Sequence, residues 1–529
     1  MTAAVSVLAA LLAVVLFGLI LVRLTTRLPV PRPLPPSQSI PFDAGSRLGA
    51  AVAPAMEAHP GLSGVGMLGD SFAAFAARVA LVRAANVSLD IRYYVWRPDR
   101  AGFILLDELV AAARRGVRVR LLLDDNGVGG LDPALATLMR VAGIELRLFN
   151  PFVLRWPKPL GYLTDFSRLN RRMHNKSLAA DGAFAVIGGR NVGDEYFGAT
   201  TGELFADLDV VAAGPVVADL ARDFDRYWAC ASAWPAETFL AAVVPLGEEE
   251  IAARARAAWA DPEAEGYGRA VAQLPHTPDG APDFALGWYP VTMVSDDPAK
   301  GLGGAPREDE LAIRLFEMIG RPARALAIVS AYFVPGEEGT RTFCALARGG
   351  VAVRVLTNGF DATNHKVVHS GYARRRVALL EAGVELWEAK GPDAWNLPRQ
   401  PLRLLGAHGA QRRLLVGSQT TALHAKTFAV DGARLFVGSF NFDPRSVALN
   451  TEMGFLIESP ELAGRLERLF AEDLRSRAYA VRLAPGRAHL QWLEWTPEGS
   501  IVHESEPAMR NTTRLLLRLL TLLPIEWLL

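Results

Sequence analysis

The chain of 529 residues has few cysteines and no surplus of charge. Its two cysteines, Cys230 and Cys344, cannot make a disulfide framework, and no Cys/His cluster has the spacing of a structural zinc site. Acidic and basic residues balance at 56 each, which excludes a chain-wide basic surface for nucleic acid but not a local groove. No acidic metal cluster is evident, so we expect neither a metal nor another cofactor.

The N-terminus contains one long run without charge. Residues 3–22 are twenty uncharged residues, enough for a helix that crosses a bilayer. A cleaved signal peptide would have a basic start and a small-residue cleavage site, and both are missing, so we expect an uncleaved anchor. Arg23, Arg27 and Arg32 follow the run, and the positive-inside rule then places the body of the chain in the cytoplasm.

The far end of the chain also has an arginine pattern. Arg510, Arg514 and Arg518 recur every four residues in a leucine-rich segment, 509–529. A helix with this pattern either lies in a membrane interface, with its arginines near phosphates, or docks on the protein core. The pattern favours neither alternative over the other.

Two copies of one motif stand out between these ends. The first, MHNKSLAADGAFAVIGGRN, spans residues 173–191, and the second, LHAKTFAVDGARLFVGSFN, spans residues 423–441. In both, the His lies two residues before the Lys, seven before the Asp and seventeen before the Asn. A lone His-x-Lys is weak evidence, because a strand histidine is more often structural, but two copies with identical spacing indicate a site. The repeated positions are His174, Lys176, Asp181, Gly188, Gly189 and Asn191 in the first copy and His424, Lys426, Asp431, Gly438, Ser439 and Asn441 in the second.

Each copy predicts a β-hairpin. An Asp-Gly pair separates two apolar runs, and glycine accepts the positive φ that a tight reversal needs. Residues two apart on a strand share a face, so the His and the Lys emerge together. Asp181 and Asp431 stand at the turns, where we expect them to bind backbone N–H groups as scaffold. We expect the glycines and Ser439 to supply phosphate-binding backbone, with the asparagine amides beside them.

The order of elements around the motifs also repeats. Strand-like runs alternate with helix-length segments before each motif, which predicts an α/β fold of two homologous lobes, each a mostly parallel sheet flanked by helices, related by a pseudo-twofold axis. An N-terminal transmembrane helix would precede them. The expected organisation is an anchor (1–28), a proline-rich linker (29–61), a first lobe (62–235), a connector (236–309), a second lobe (310–508) and an amphipathic C-terminal segment (509–529).

One histidine in each lobe could place two imidazoles on opposite sides of one phosphate. One would attack phosphorus to form a phosphohistidine, and the other would protonate the leaving alcohol. Lysines and asparagines would stabilise the phosphoryl oxygens. Asp207 and Glu452, at matching places after the two motifs, are the candidates for orienting the imidazoles, with Glu452 as the expected partner of His424.

The duplicated H-x-K-x4-D motif with its Gly/Asn tail resembles that of the phospholipase D superfamily. The resemblance implies two α/β lobes, one shared active site and a phosphohistidine, and it assigns His174 as nucleophile and His424 as general acid. The phrases GGRNVGDEYFG, SFNFDPRS and LNTEMG are similar to those of bacterial cardiolipin synthases of the C-type, from about residue 67 to the end of the chain. The implied location is the bacterial inner membrane.

The implied reaction is transfer of a phosphatidyl group to phosphatidylglycerol, with phosphatidylethanolamine or phosphatidylglycerol as donor. The expected partners are thus phospholipids and a membrane, without nucleic acid, and the sequence identifies no auxiliary protein. Two alternatives stay open. A hydrolytic phospholipase D would release phosphatidic acid, and a nuclease would use the same residues, although an anchored, charge-neutral chain argues against it. A membrane scaffold is not favoured, because it would have no need of two complete motifs.

Overall fold

Two α/β lobes pack face to face in the computed structural model, which describes residues 2–25, 27–30, 36–199, 203–363, 366–391, 420–486 and 489–509. The predicted C-terminal segment, 509–529, lies outside the described residues apart from Met509. Each lobe is built on one large sheet with helices against it.

The first half of the chain forms ten strands within the described residues, and all but β7 belong to one sheet. The strands are β1 (Ser63–Leu68), β2 (Ser88–Tyr93), β3 (Arg118–Asp124), β4 (Ile144–Phe149), β5 (Ser177–Ala180), β6 (Phe184–Gly188), β7 (Glu203–Ala206), β8 (Asp209–Ala213), β9 (Ala233–Pro235) and β10 (Gly287–Tyr289). Their order across the sheet is β10-β1-β8-β6-β5-β2-β3-β4-β9.

The second half contributes eleven described strands, and β15 alone stays outside the second sheet. They are β11 (Val291–Ser295), β12 (Ala325–Ser330), β13 (Ala352–Asn358), β14 (Glu385–Ala389), β15 (Thr420–Leu423), β16 (Lys426–Val430), β17 (Arg434–Gly438), β18 (Met453–Glu458), β19 (Ala478–Leu483), β20 (Leu490–Thr496) and β21 (Gly499–His503). The order is β11-β18-β17-β16-β12-β13-β14-β19-β20-β21.

The predicted α/β lobes are present, but the prediction of mostly parallel sheets is wrong. Only β2-β3-β4 in the first sheet and β12-β13-β14 in the second run parallel. The motif hairpins cause the difference, because a tight turn forces its two strands to be antiparallel and each hairpin extends its sheet by pairing antiparallel to β2 or β12.

Helices surround the sheets. The first half contains α1 (Thr2–Thr25), α2 (Arg47–Ala58), α3 (Ser71–Ala84), α4 (Arg100–Arg114), α5 (Asp132–Leu138), α6 (Tyr162–Leu169), α7 (Asp194–Phe197), α8 (Pro215–Trp228), α9 (Glu237–Leu240), α10 (Glu248–Ala260) and α11 (Glu265–Gln273). The second contains α12 (Leu311–Ile319), α13 (Gly336–Arg348), α14 (Lys366–Ala373), α15 (Arg376–Glu381), α16 (Pro444–Ala448), α17 (Pro460–Arg468) and α18 (Leu474–Arg477).

The two lobes share an apolar core. Side chains of β6 and β8 in the first sheet meet side chains of β17 in the second, and residues of α8 and α17 complete this layer. Strand β7 also crosses between the lobes to pair in parallel with β15. The lobes therefore form one packed unit, and residues at their junction are held from both sides.

Part of the predicted linker is folded. Ser39 donates from its backbone N–H to Asp225 at 2.9 Å, Arg120 donates to the carbonyl of Ser37 at 2.9 Å, and α2 buries Leu48 and Val52. The first lobe thus begins before residue 62. The predicted connector is likewise divided between the lobes, because β10 joins the first sheet and β11 the second.

Of the helices that the structure describes, none is long and apolar enough to cross a membrane. The N-terminal anchor therefore stays a prediction from the sequence.

Candidate active site

Both motifs fold as hairpins, β5 with β6 and β16 with β17. Their turn residues, Asp181-Gly182 and Asp431-Gly432, all have positive φ, between 53° and 63°. The Asp181 carboxylate accepts the backbone N–H groups of residues 86–88 at 2.9–3.1 Å, and Asp431 accepts those of residues 323–325 at 2.7–3.1 Å. Each aspartate therefore joins its hairpin turn to the start of the neighbouring strand.

The backbone of each motif histidine is bound by the opposite lobe. His174 donates its N–H to the carbonyl of Thr451 at 2.9 Å, and His424 donates its N–H to the carbonyl of Ala206 at 2.8 Å. Thr451 and Ala206 each precede one of the predicted orienting carboxylates, Glu452 and Asp207. The same crossing contact thus occurs twice, once in each direction.

Each imidazole is bound by the carboxylate of the opposite lobe. His174 Nδ1 lies 2.8 Å from Glu452 Oε2, and His424 Nδ1 lies 2.5 Å from Asp207 Oδ2. The prediction that Glu452 is the partner of His424 is therefore wrong, because pairing of β7 with β15 brings Asp207 to His424 instead. An ionised carboxylate only accepts, so beside it Nδ1 carries the ring proton and Nε2 is left for chemistry.

The lysines lie buried beside the histidines. Lys176 Nζ donates to the His174 carbonyl at 2.6 Å, and Lys426 Nζ donates to the His424 carbonyl and lies 3.1 Å from its Nδ1. Burial lowers the pKa of Lys176 to about 7, and burial also lowers the pKa of Lys426. Two ammonium groups in this enclosed space create a site that favours an anion.

Burial and the lysines also keep the imidazoles neutral. Burial, followed by the charges of Lys176 and Lys426, holds the pKa of His174 well below its usual value. Burial and Lys426 lower the pKa of His424 to about 3, against the opposing effect of Asp207. Because a lysine from each lobe acts on the histidine of the other, the two motifs form a single site.

The two carboxylates differ in charge. Burial raises the pKa of Glu452 to about 7, although Lys176 opposes the shift. Burial acts in the same direction on Asp207, but there the interaction with His424, including its hydrogen bond, and the charge of Lys426 outweigh burial, and the pKa is lowered. Asp207 is therefore the more firmly ionised partner.

Hydroxyl groups hold Glu452 but not Asp207. Ser439 Oγ donates to Glu452 at 2.5 Å and Ser446 Oγ donates at 2.8 Å. At the position matching Ser439, a Cβ on Gly189 would lie 2.1 Å from Asp207 Oδ1, so only glycine fits there. The difference between Gly189 and Ser439 in the motif tails thus has a steric and a hydrogen-bonding cause.

The sequence analysis predicted that the backbone of the motif tails binds phosphate, but the structure uses the backbone N–H groups of Gly189 and Ser439 elsewhere. Gly189 N–H donates to Leu208 and Ser439 N–H donates to Met453. A Cβ on Gly188 or Gly438 would collide with the neighbouring strand, at 2.1 Å from Asp209 Oδ1 and 2.3 Å from the carbonyl of Met453. These four positions therefore serve close strand packing.

The asparagines of the tails are both buried but differ in their bonds. Asn191 Oδ1 accepts the N–H of Val95 at 3.1 Å. Asn441 Oδ1 has no hydrogen-bond partner within the described part of the chain. A polar group in that state is suited to meeting a polar ligand.

Three features of the site escaped the sequence analysis. Tyr94 packs edge-on against His174 with 5.1 Å between ring centroids, and Tyr196 and Phe205 pack against His424 at 5.3 and 4.9 Å. The Ser446 hydroxyl donates to the Glu452 carboxylate, and Asp296 accepts the backbone N–H of Glu452 at 2.8 Å. Of these residues, only Tyr196 and Ser446 could have been found from the sequence, because they occupy equivalent positions, each five residues after the asparagine of its motif. The described residues contain no group of three or more His, Cys, Asp or Glu arranged to hold a metal.

Comparison with known proteins identifies relatives of this arrangement. Residues 79–228 and 315–474 match the family described as "Cardiolipin synthase, PLD-like domain". Cardiolipin synthase C of Escherichia coli (strain K12) is 46% identical over 488 residues, covering 91% of this chain and 100% of that protein. An uncharacterized protein of Helicobacter pylori (strain J99) is 30% identical and covers 89% of this chain and 90% of its own length.

One solved structure also shares the fold over most of the chain. The crystal structure of phosphatidylserine synthase from Haemophilus influenzae Rd KW20 superimposes with a TM-score of 0.52 at 15% identity. It covers 90% of this chain and 100% of that one. At this identity the similarity supports the two-lobed fold alone.

Proposed function

The chain belongs to the cardiolipin synthase family of phospholipase D-like proteins, and from that premise we propose that it is the phosphatidyltransferase that makes cardiolipin. The acceptor is phosphatidylglycerol, and the donor is phosphatidylethanolamine or a second phosphatidylglycerol. The observation that carries this proposal is the pair of imidazoles, each fixed through Nδ1 by a carboxylate of the opposite lobe.

In the first half of the reaction His174 Nε2 attacks the phosphorus of the donor lipid. The P–O bond to the departing alcohol breaks, and His424 gives its proton to that alcohol. A phosphatidyl group is then bonded to His174. In the second half the hydroxyl of phosphatidylglycerol loses its proton to His424 and attacks phosphorus, which restores both histidines.

The order of roles follows from the carboxylates. A general acid must be an imidazolium before it acts, and an ionised carboxylate stabilises that form. The lowered pKa of Asp207 keeps it ionised beside His424, whereas the pKa of Glu452 is raised to about 7. His424 is therefore the better acid and His174 the better nucleophile.

Substrate binding allows His424 to become protonated. In the free site the lysine charges help to lower the pKa of His424 to about 3. A phosphodiester anion beside Lys176 and Lys426 offsets those charges, so its arrival raises the pKa of His424 toward the range in which it can carry a proton. Lys176, Lys426 and the amides of Asn191 and Asn441 then hold the phosphoryl oxygens.

The test uses purified full-length protein with vesicles of phosphatidylglycerol and phosphatidylethanolamine, with products identified by mass spectrometry. We expect cardiolipin, and we expect His174→Ala and His424→Ala each to lower its formation by about 10³-fold or more. His276→Ala, an exposed histidine elsewhere, is the matched control and keeps full activity.

The products separate the alternatives. Phosphatidic acid without cardiolipin would identify a hydrolytic phospholipase D and end the synthase proposal. Cleavage of plasmid DNA without lipid turnover would identify a nuclease and end both lipid proposals. A phosphatidyl group retained on His174 in the His424→Ala variant would support the order of roles, and its retention on His424 in His174→Ala would reverse it.

For the location we propose a single anchor at residues 3–22 in the bacterial inner membrane, with the body in the cytoplasm. The uncharged run and the arginines after it support this topology. Two reporter enzymes are fused after Leu529, one active only in the cytoplasm and one active only in the periplasm. We expect only the cytoplasmic reporter to be active, and activity of the periplasmic reporter would contradict the topology.

A further inference from the structure

Four large apolar side chains are exposed between β4 and the first motif. The exposed fractions are 86% for Trp156, 40% for Leu160, 62% for Leu163 and 46% for Phe166. They lie on the turn and helix that follow Asn150, and three of them are spaced three residues apart. We refer to these four residues as the α6 patch. Soluble surfaces rarely concentrate large apolar groups in this way unless something covers them.

The surroundings of the α6 patch are basic. Residues 151–172 contain five basic residues and one acidic residue, a surplus of +4. Two further bases, Arg23 and Arg445, and three acids, Asp124, Asp125 and Asp132, bond to this segment, and a surplus of +3 remains when they are included. The chain as a whole is neutral, so this surplus is local. The basic side chains here are half-buried or buried and mostly ion-paired, so what reaches the surface is the net positive charge of the segment. Exposed apolar groups on a segment of net positive charge complement an anionic phospholipid bilayer.

The α6 patch also lies between the N-terminal helix and the active site. Arg23, near the end of α1, donates to the carbonyl of Thr164 in α6 at 2.7 Å. On the other side, the segment ends at Arg172 and Met173, directly before His174. Tyr162 donates to Asn126 at 3.2 Å, which ties α6 to the loop after β3. Whatever covers the patch therefore meets the His174 side of the site.

We propose that the α6 patch docks in the headgroup region of an anionic phospholipid bilayer and so brings the His174 side of the site to the lipid phosphates. Tryptophan and phenylalanine suit this depth, because their rings tolerate the boundary between acyl chains and headgroups. This step rests on the proposed function, since it takes a membrane lipid as the substrate.

The docking is tested by labelling the full-length protein in nanodiscs that contain phosphatidylglycerol and a zwitterionic lipid. An environment-sensitive fluorophore is placed at Leu163→Cys in a Cys230→Ser/Cys344→Ser background. The control position is Glu249→Cys on α10, an exposed site that has no bond to the 151–172 segment. We expect a blue shift and quenching by brominated lipid at position 163 and neither at position 249. Equal, water-like emission at both positions would overturn the proposal.

Catalysis supplies the second measurement. The triple variant Trp156→Ser/Leu163→Gln/Phe166→Gln should lose about tenfold or more of its turnover of bilayer lipid. The proposed anchor still holds the chain at the bilayer, but the α6 patch no longer seats the site in the headgroups, and burial of one large apolar group is worth about that factor. Its turnover of a monomeric short-chain phosphatidylglycerol should change by less than twofold. That second assay shows that the variant is folded and its site intact. An equal loss on both substrates would mean that the patch supports the fold or the site, and the proposal would fall.

Other occupants give distinct results. If a second copy of the chain covers the patch, light scattering in detergent would show a dimer that the triple variant breaks, and position 163 would stay unquenched by brominated lipid. The proposed function can also fail separately. Lipid quenching at position 163 without any cardiolipin formation would leave the docking intact and reject the synthase, whereas cardiolipin formation without quenching would do the reverse.

Discussion

The cross-lobe pairing makes a sharp prediction about two isosteric variants, Glu452→Gln and Asp207→Asn. Each removes one negative charge from a fully buried position and leaves the side-chain shape unchanged. The structure assigns Glu452 to His174 and Asp207 to His424. A variant in one lobe should therefore disturb the histidine of the other.

The magnitude follows from the bond that is lost. A hydrogen bond to a charged group contributes about 1.5–3 kcal/mol, which corresponds to about 10- to 150-fold in rate at about 1.4 kcal/mol for each factor of ten. The amide that replaces the carboxylate can also donate to Nδ1, which would move the ring proton to Nε2 and block the nucleophile. That change of tautomer can raise the loss to about 10⁴-fold. We expect kcat to fall by at least tenfold in each variant.

The assay that identifies the pairing is nuclear magnetic resonance of the ring nitrogens in protein labelled with ¹⁵N-histidine. The His174 and His424 signals are assigned from His174→Gln and His424→Gln. We expect Glu452→Gln to shift the Nδ1 signal of His174 and leave that of His424 in place, and Asp207→Asn to do the opposite. If Glu452→Gln moved only the His424 signal, the pairing within the second lobe would be right and the crossed arrangement wrong.

Three further predictions concern the surroundings of this pair. Ser439→Gly and Ser446→Ala each remove one hydroxyl that donates to Glu452 and should lower kcat by about 5- to 10-fold. Gly189→Ser should unfold the site, because its Cβ would lie 2.1 Å from Asp207 Oδ1. Equal activity of all three variants would contradict this account. The pKa of His424 is lowered to about 3 in the folded chain from an ordinary value of 6.5, so the unfolded chain binds more protons between those values and stability falls as the pH drops through that window. Urea unfolding between pH 6.5 and 4.5 should show that His424→Gln flattens this slope by up to about 1.4 kcal/mol per pH unit, and an unchanged slope would show that His424 is not buried in the neutral form. Asp181→Ala should lower the free energy of unfolding by about 2–4 kcal/mol, since it removes a buried carboxylate that accepts three N–H groups and leaves the buried N–H of Ser88 without an acceptor. Asp431→Ala should cost less because its turn is half-exposed, and a larger loss at Asp431 would contradict the burial argument.

The local parts of the site are predictable from the sequence because short-range rules govern them. Asp-Gly between two apolar runs specifies a tight hairpin, and both hairpins form with positive φ at both turn residues. The repeat itself gives the equivalence, since 424 − 174 and 441 − 191 are both 250.

The non-local parts are not predictable in this way. The direction of a strand within a sheet depends on which neighbours it finds. Alternating strands and helices therefore gave no signal that the two hairpins would pair antiparallel with the parallel strands, β5 with β2 and β16 with β12. The partner of each histidine depends on a contact between lobes, β7 with β15, that no pattern within one lobe contains. The order of residues after the two motifs identifies Asp207 and Glu452 as equivalent positions. That equivalence alone does not indicate whether each carboxylate binds the histidine of its own lobe or that of the other lobe.

The crossed arrangement makes the chemistry depend on the docking of the lobes. Each histidine takes its backbone hydrogen bond and its orienting carboxylate from the opposite lobe, so neither motif is complete within its own sheet. The apolar layer between the sheets therefore positions the site. A shift at the β6–β17 contact would move both carboxylates away from their imidazoles at once. The two sites of pairing are nevertheless unlike, since Glu452 is held by two serines while Asp207 lies against a glycine that has no room for a side chain. A symmetric fold therefore gives its two histidines unlike carboxylate partners, which suits the different roles, nucleophile and acid, that we propose for them.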